Sequence, residues 1–254
     1  MKEEINNNIK QKILFYIKEN NFKSAEKLIL KALKKYSNSS YLLELLAHCQ
    51  YNEGEYEDAI RSYNIILKSS NNISHEVYFM LGNSLGNLGH SKKAIDYYEK
   101  SLLKKPNQYL VLNNIGLQYE LLKDFNRAKD FYTKTIKLKN NFELGYTNLA
   151  GINEKIGNID ESFDLYRECL KINNTNELAI LGLANINLIK KSYNDAYNLF
   201  NQVLELNSSL KAAYTGLGNV LLAKGEYLEG LEMLQKGLGV VRFTKGNDLE
   251  IINS

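Results

Sequence analysis

A pattern that returns every 34 residues (78 to 112 to 146) constrains this chain more than anything in its composition. From 75 to 108 the slots Tyr78, Leu81, Gly82, Ala94, Tyr98 and Pro106 recur one period later as Leu112, Ile115, Gly116, Ala128, Tyr132 and Asn140. Three further steps give Tyr146, Leu149, Ala150, Ser162, Tyr166; then Ile180, Leu183, Ala184, Ala196, Phe200; then Tyr214, Leu217, Gly218, Gly230, Leu234. A period in this range marks a solenoid, in which each unit needs its neighbours to bury its apolar face.

The register extends backwards. Ala59 and Tyr63, with Leu43, Leu46 and Ala47 upstream, define a copy one residue longer, the insertion falling in the turn 69–72. A weaker copy carries Ile9, Ile13, Ala25 and Ala32, with Lys12 where later copies hold leucine, as an end cap facing water would. The expected repeats are therefore about 6–39, 40–74, 75–108, 109–142, 143–176, 177–210 and 211–243, followed by a tail at 244–254.

Each unit reads as two helices, since Tyr78, Leu81, Gly82 and Leu85 follow i, i+3, i+4, i+7 spacing, as do Ala94, Tyr97, Tyr98 and Ser101. Between them Gly54, Gly89, Gly157 and Gly225 recur at one slot, filled by Asn20, Lys123 and Lys191 elsewhere. A left-handed helix end suits glycine or asparagine there. Gly82, Gly116, Ala150, Ala184 and Gly218 face Ala59, Ala94, Ala128 and Ala196 across the helix crossing, small against small. The expected fold is all-α.

These slots resemble the tetratricopeptide repeat (TPR) signature over about residues 6–243, although no copy has the family's frequent tryptophan and only Pro106 fills its closing proline. The resemblance implies a right-handed superhelical solenoid of antiparallel helix pairs, with first helices lining a concave groove. It also implies which side chains reach that groove: Asn83, Asn87, Asn113, Asn114, Asn148, Asn185 and Asn219, flanked by Phe79, Leu110, Leu117, Leu121, Leu144, Leu178 and Leu181. An amide both donates and accepts, so an asparagine ladder suits an extended peptide backbone. Similar ladders line the protein-binding arm of O-linked N-acetylglucosamine transferases. The chain is also rich in asparagine throughout, and a purely compositional origin of the ladder stays open. The lysine–asparagine pair with which some family members grip a C-terminal carboxylate is missing, because Leu14 follows Lys10 at that spacing.

Composition narrows the function. Apolar residues make up 44% and charged residues 24%, and the net charge of +3 is dispersed, without the basic stripe of a nucleic-acid binder. No run is long enough to span a bilayer and the start lacks an apolar leader, so a cytoplasmic protein is expected. Cys169 shares a slot with Ala32, Ser101 and Val203 and reads as a packed thiol. His48, His75 and His90 have no partners at ligand spacing and read as solvated, so neither metal nor cofactor is expected. The acidic pairs Glu57-Asp58 and Asp160-Glu161 suit first turns of helices. No nucleophile–base pairing is apparent. At the far end, Gly237-Leu238-Gly239 reads as a helix breaker before 240–243 and 249–252, which read as a short β-hairpin or as a frayed tail. The apolar edge at Leu228, Leu231 and Leu234 needs cover, from that hairpin or from self-association.

The function expected is a non-enzymatic scaffold or adaptor that holds a protein or peptide in its groove. The alternative is a substrate-recognition or targeting subunit of an enzyme complex, such as a glycosyltransferase-type assembly.

Overall fold

The computed structural model describes residues 5–37, 39–70, 72–243 and 249–252, with backbone alone for 240–243 and 249–252. Fourteen helices are described, in consecutive antiparallel pairs: α1 (Asn7–Lys18) with α2 (Phe22–Leu33), α3 (Ser40–Asn52) with α4 (Tyr56–Ser69), α5 (His75–Asn87) with α6 (Ser91–Lys104), and α7 (Tyr109–Leu121) with α8 (Phe125–Leu138). Then come α9 (Glu143–Lys155) with α10 (Ile159–Ile172), α11 (Glu177–Ile189) with α12 (Tyr193–Leu206), and α13 (Lys211–Lys224) with α14 (Tyr227–Leu238).

The turn inside each pair has one cause. Asn20, Gly54, Gly89, Lys123, Gly157, Lys191 and Gly225 all take positive φ, which reverses the chain after the first helix. The next N–H then returns to a carbonyl five residues back, as Asn158 does to Asn153 at 2.8 Å. Orphan carbonyls at the helix end are satisfied in this way. Lys123 and Lys191 adopt the conformation without glycine's freedom, at φ +61°.

Packing within the pairs follows the small residues. Ala25, Ala59, Ala94, Ala128, Ser162, Ala196 and Gly230 are buried on the second helices. A Cβ on Gly116 would lie 2.7 Å from the Tyr132 ring, and one on Gly82 would lie 2.6 Å from Tyr98. Farther along that slot holds Ala150 and Ala184, which share core clusters with Tyr166 and Phe200. The glycine beside the ring is then on the next first helix, where a Cβ on Gly182 or Gly216 would enter Tyr166 or Phe200. The Cys169 slot is buried in every copy, at Ala32, Ile66, Ser101, Thr135, Cys169, Val203 and Gly237. Gly237 is thus no helix breaker. It lies inside α14, where a Cβ would meet the Lys211 carbonyl at 2.8 Å. The helix ends one residue later, and Gly239 turns at φ +100°.

Contacts divide the chain into two compact units, residues 1–138 and 139–254. In the first unit α3, α5 and α7 touch in succession; in the second, α9, α11 and α13 do. Alternate second helices make no comparable contact among the described residues. Each unit therefore curves with its first helices inside. At the end of the second unit, β1 (Val240–Phe243) and β2 (Leu249–Ile252) pair antiparallel, Val240 opposite Ile252 and Phe243 opposite Leu249. The two segments expected as a hairpin or a frayed tail thus pair as strands; residues 244–248 lie outside the described residues.

Candidate functional site

On α7 the inward face carries a stripe of apolar side chains. Leu110, Leu117 and Leu121 lie seven and then four residues apart, within one narrow arc of the helix, and are 44%, 41% and 58% exposed. Leu144 and Leu178 hold the Leu110 slot in the next two repeats and are exposed as well. Such side chains are costly to leave in water unless something covers them. Phe79 and Leu181 are only half available, because Phe79 lies 6.0 Å from the Tyr98 ring and Leu181 packs on the α11–α13 core.

The asparagines divide into three kinds. Asn83 Oδ1 accepts from the Tyr98 hydroxyl at 2.8 Å and from Asn114 Nδ2 at 2.9 Å, so these two amides tie neighbouring repeats together. Asn87 donates to the Tyr51 hydroxyl at 3.2 Å and to the Asn83 carbonyl at 2.9 Å. Asn113, expected in the groove, is only 4% exposed, because its slot faces the packed interior rather than the open side of α7. Asn148 and Asn185 remain half-buried at the lip of a pocket, and Asn219 is exposed on α13.

Two glutamates in this face escape a reading based on asparagine. Tyr132 donates to Glu120 at 2.9 Å, and Tyr166 donates to Glu154 at 2.6 Å. Both carboxylates occupy one slot, 34 residues apart and twelve before their tyrosines (132 − 120 and 166 − 154), and that regularity was available in the sequence. Burial first, then the neighbouring carboxylate, pushes both phenols far above their ordinary range, so each is a permanent donor. The Glu154 carboxylate borders a pocket of about 210 Å³ lined by Thr147, Asn148, Tyr166, Leu178, Leu181, Gly182 and Asn185.

A wider depression of about 620 Å³ lies on the opposite side of the second unit, among α10, α11 and α12, with Phe163, Leu170 and Leu199 in its lining. Lys190 covers part of Phe163, with its ammonium 4.9 Å from the ring centre.

The reactive side chains are quiescent. Burial pushes the Cys49 thiol up to about 12 and the Cys169 thiol up to about 11, so neither is a ready thiolate. His90 is exposed, but His48 and His75 are half-buried rather than solvated. His48 stands edge-on to Phe22 at 5.9 Å, and burial lowers its pKa. Among the described residues no three His, Cys, Asp or Glu side chains converge as a metal site, and no helix is long and apolar enough to cross a membrane.

Tetratricopeptide repeat signatures match residues 16–72, 75–108, 109–142 and 145–176, together more than half of the chain. Among solved structures, the C-terminal part of a TPR repeat-containing protein from Cytophaga hutchinsonii is similar at TM-score 0.72 and 16% identity, over 93% of this chain and 97% of that one. A tetratricopeptide repeat protein from Parabacteroides merdae reaches TM-score 0.72 at 19% identity over 91% of each chain. YrrB, described as a TPR protein with an unusual peptide-binding site, reaches 0.54 at 18% identity over 64% of this chain and 84% of that one. Comparison with curated protein sequences gave no match.

Proposed function

The chain belongs to the tetratricopeptide repeat family, and from that premise we propose that it is a non-enzymatic scaffold whose inward first-helix faces hold a peptide or helix of a partner protein. The apolar stripe of Leu110, Leu117 and Leu121 carries this reading. Its spacing matches a partner helix or alternate side chains of an extended segment, and covering it removes apolar surface from water. The peptide-binding site ascribed to YrrB supports the same assignment by analogy of fold. Within the second unit Asn185 and Asn219 offer amides to a peptide backbone; Asn83, Asn87 and Asn114 are committed to the scaffold of the first.

The test is affinity purification with three baits: the native chain, Leu117→Glu/Leu121→Glu, and the second-helix control Leu103→Glu, whose leucine is 84% exposed on α6. A partner held by the native chain and the control but lost by the double variant supports the reading. A partner lost only by the control overturns it. Enzymatic activity that co-purifies through the same face would make the chain the targeting arm of an enzyme complex. Self-association through the Leu228–Leu234 edge is read separately, by light scattering of the full chain against one ending at Gly237.

A further inference from the structure

We infer that the pocket at Glu154 is a receptor for one basic side chain, an arginine, of the bound peptide; this rests on the scaffold reading above. The carboxylate is held from one side only. Its Oε1 accepts from the Tyr166 hydroxyl at 2.6 Å and from the Ser162 hydroxyl at 3.4 Å, both on α10, while Oε2 has no partner among the described residues. A charge fixed in place and half desolvated gains from a cation that reaches its open oxygen.

The Tyr166 ring that reaches Glu154 occupies space left by Gly182, where a Cβ would enter the ring. The clamp is therefore built by two successive repeats together. Glu120 holds the corresponding slot in the first unit and takes the Tyr132 hydroxyl, but it has a further interaction besides. Glu154 is the carboxylate of the pair with an oxygen to offer.

The remaining walls fit the same guest. Thr147 and Asn185 add polar side chains to the lining beside the carboxylate, which suits the several N–H donors of a guanidinium. Leu178, 60% exposed at the rim, offers an apolar surface to the methylene stem. The volume of about 210 Å³ falls below the roughly 300–1,000 Å³ of pockets that enclose drug-sized molecules. It accommodates one side chain.

The experiment is nuclear magnetic resonance of the isotopically labelled full chain, titrated with the capped peptide Leu-Ala-Arg-Ala-Leu and its citrulline counterpart, which differ in charge and little in shape. The arginine peptide should shift the backbone amides of 147–154 and 178–185 and bind about tenfold tighter than the citrulline peptide, an advantage that falls with added salt. Glu154→Gln keeps an oxygen for Tyr166 and should remove the preference for arginine, with unchanged melting temperature. Equal binding of the two peptides to the native chain, an arginine preference that survives in Glu154→Gln, or no shift near the pocket at millimolar peptide overturns the assignment. Should Glu154→Gln fail to fold, the two peptides on the native chain still decide. A natural partner that Glu154→Gln retains and Leu117→Glu/Leu121→Glu loses would sink this pocket alone and leave the scaffold reading intact.

Discussion

Gly116→Ala separates what repeats look like from how they pack. The substitution installs the residue that Ala150 and Ala184 carry at the same slot, so comparison of repeats rates it harmless. Alanine also exceeds glycine in a helix interior by about 1 kcal/mol. The new Cβ, however, would stand 2.7 and 2.8 Å from two carbons of the Tyr132 ring, and ordinary contact begins near 3.4 Å. The ring must yield by about 0.7 Å (3.4 − 2.7), yet Tyr132 is fully buried and its hydroxyl is held by Glu120 at 2.9 Å. Overpacking of this kind costs about 1–3 kcal/mol, and a weakened hydrogen bond about 0.5–1.5 kcal/mol more. After the helix gain is subtracted, the expected net loss is about 1–3 kcal/mol. Urea unfolding followed by far-ultraviolet circular dichroism measures it, with the slope checked for loss of cooperativity. Gly151→Ala is the control: nothing lies within 4 Å of its Cβ, and it should gain about 0.5–1 kcal/mol. In a Tyr132→Leu background the penalty of Gly116→Ala should shrink, because the nearest ring carbon, Cε1 at 2.7 Å, and Cζ at 3.2 Å are gone and leucine is the more pliable side chain. A Gly116→Ala chain as stable as the native one, with Tyr132 in place, would refute the argument.

Lys191→Gly should raise stability by about 0.5–1 kcal/mol, because glycine takes the φ of +61° without the clash a side chain brings; a lower urea midpoint would contradict this. Asn114→Ala should cost about 1 kcal/mol in the same assay, by removing its bond to Asn83; a stability unchanged within error would return Asn114 to the ladder. Glu143→Ala strips the acceptor shared by the Asn173 and Asn176 amides, each at 2.9 Å, and hydrogen exchange should quicken at the start of α11. The buried thiols of Cys49 and Cys169 hold their protons above the ordinary value of 9.0, up to about 12 and about 11. Their contribution is whole below pH 9.0 and is lost as pH rises toward those values, so Cys49→Ala/Cys169→Ala should lose less stability than the native chain from pH 9 to 11.

The period alone settled the helix pairs, the left-handed residue within each and the small residues at the crossings, because these depend on contacts inside one hairpin or with its neighbour. Even Lys123 and Lys191, poor residues for the task, were placed correctly by register. The partner of each side chain was decided only in three dimensions. Whether the space for a ring is left on its own hairpin, as at Gly116 for Tyr132, or on the next, as at Gly182 for Tyr166, follows which of the two facing helices carries the glycine. The acceptor depends instead on the side chains within reach: Tyr132 and Tyr166 each meet the glutamate twelve residues before them, whereas Tyr98 meets Asn83, which also takes Asn114 into the scaffold. Slots repeat in the sequence, but close packing responds to tenths of an ångström, which a pattern of residue types does not record.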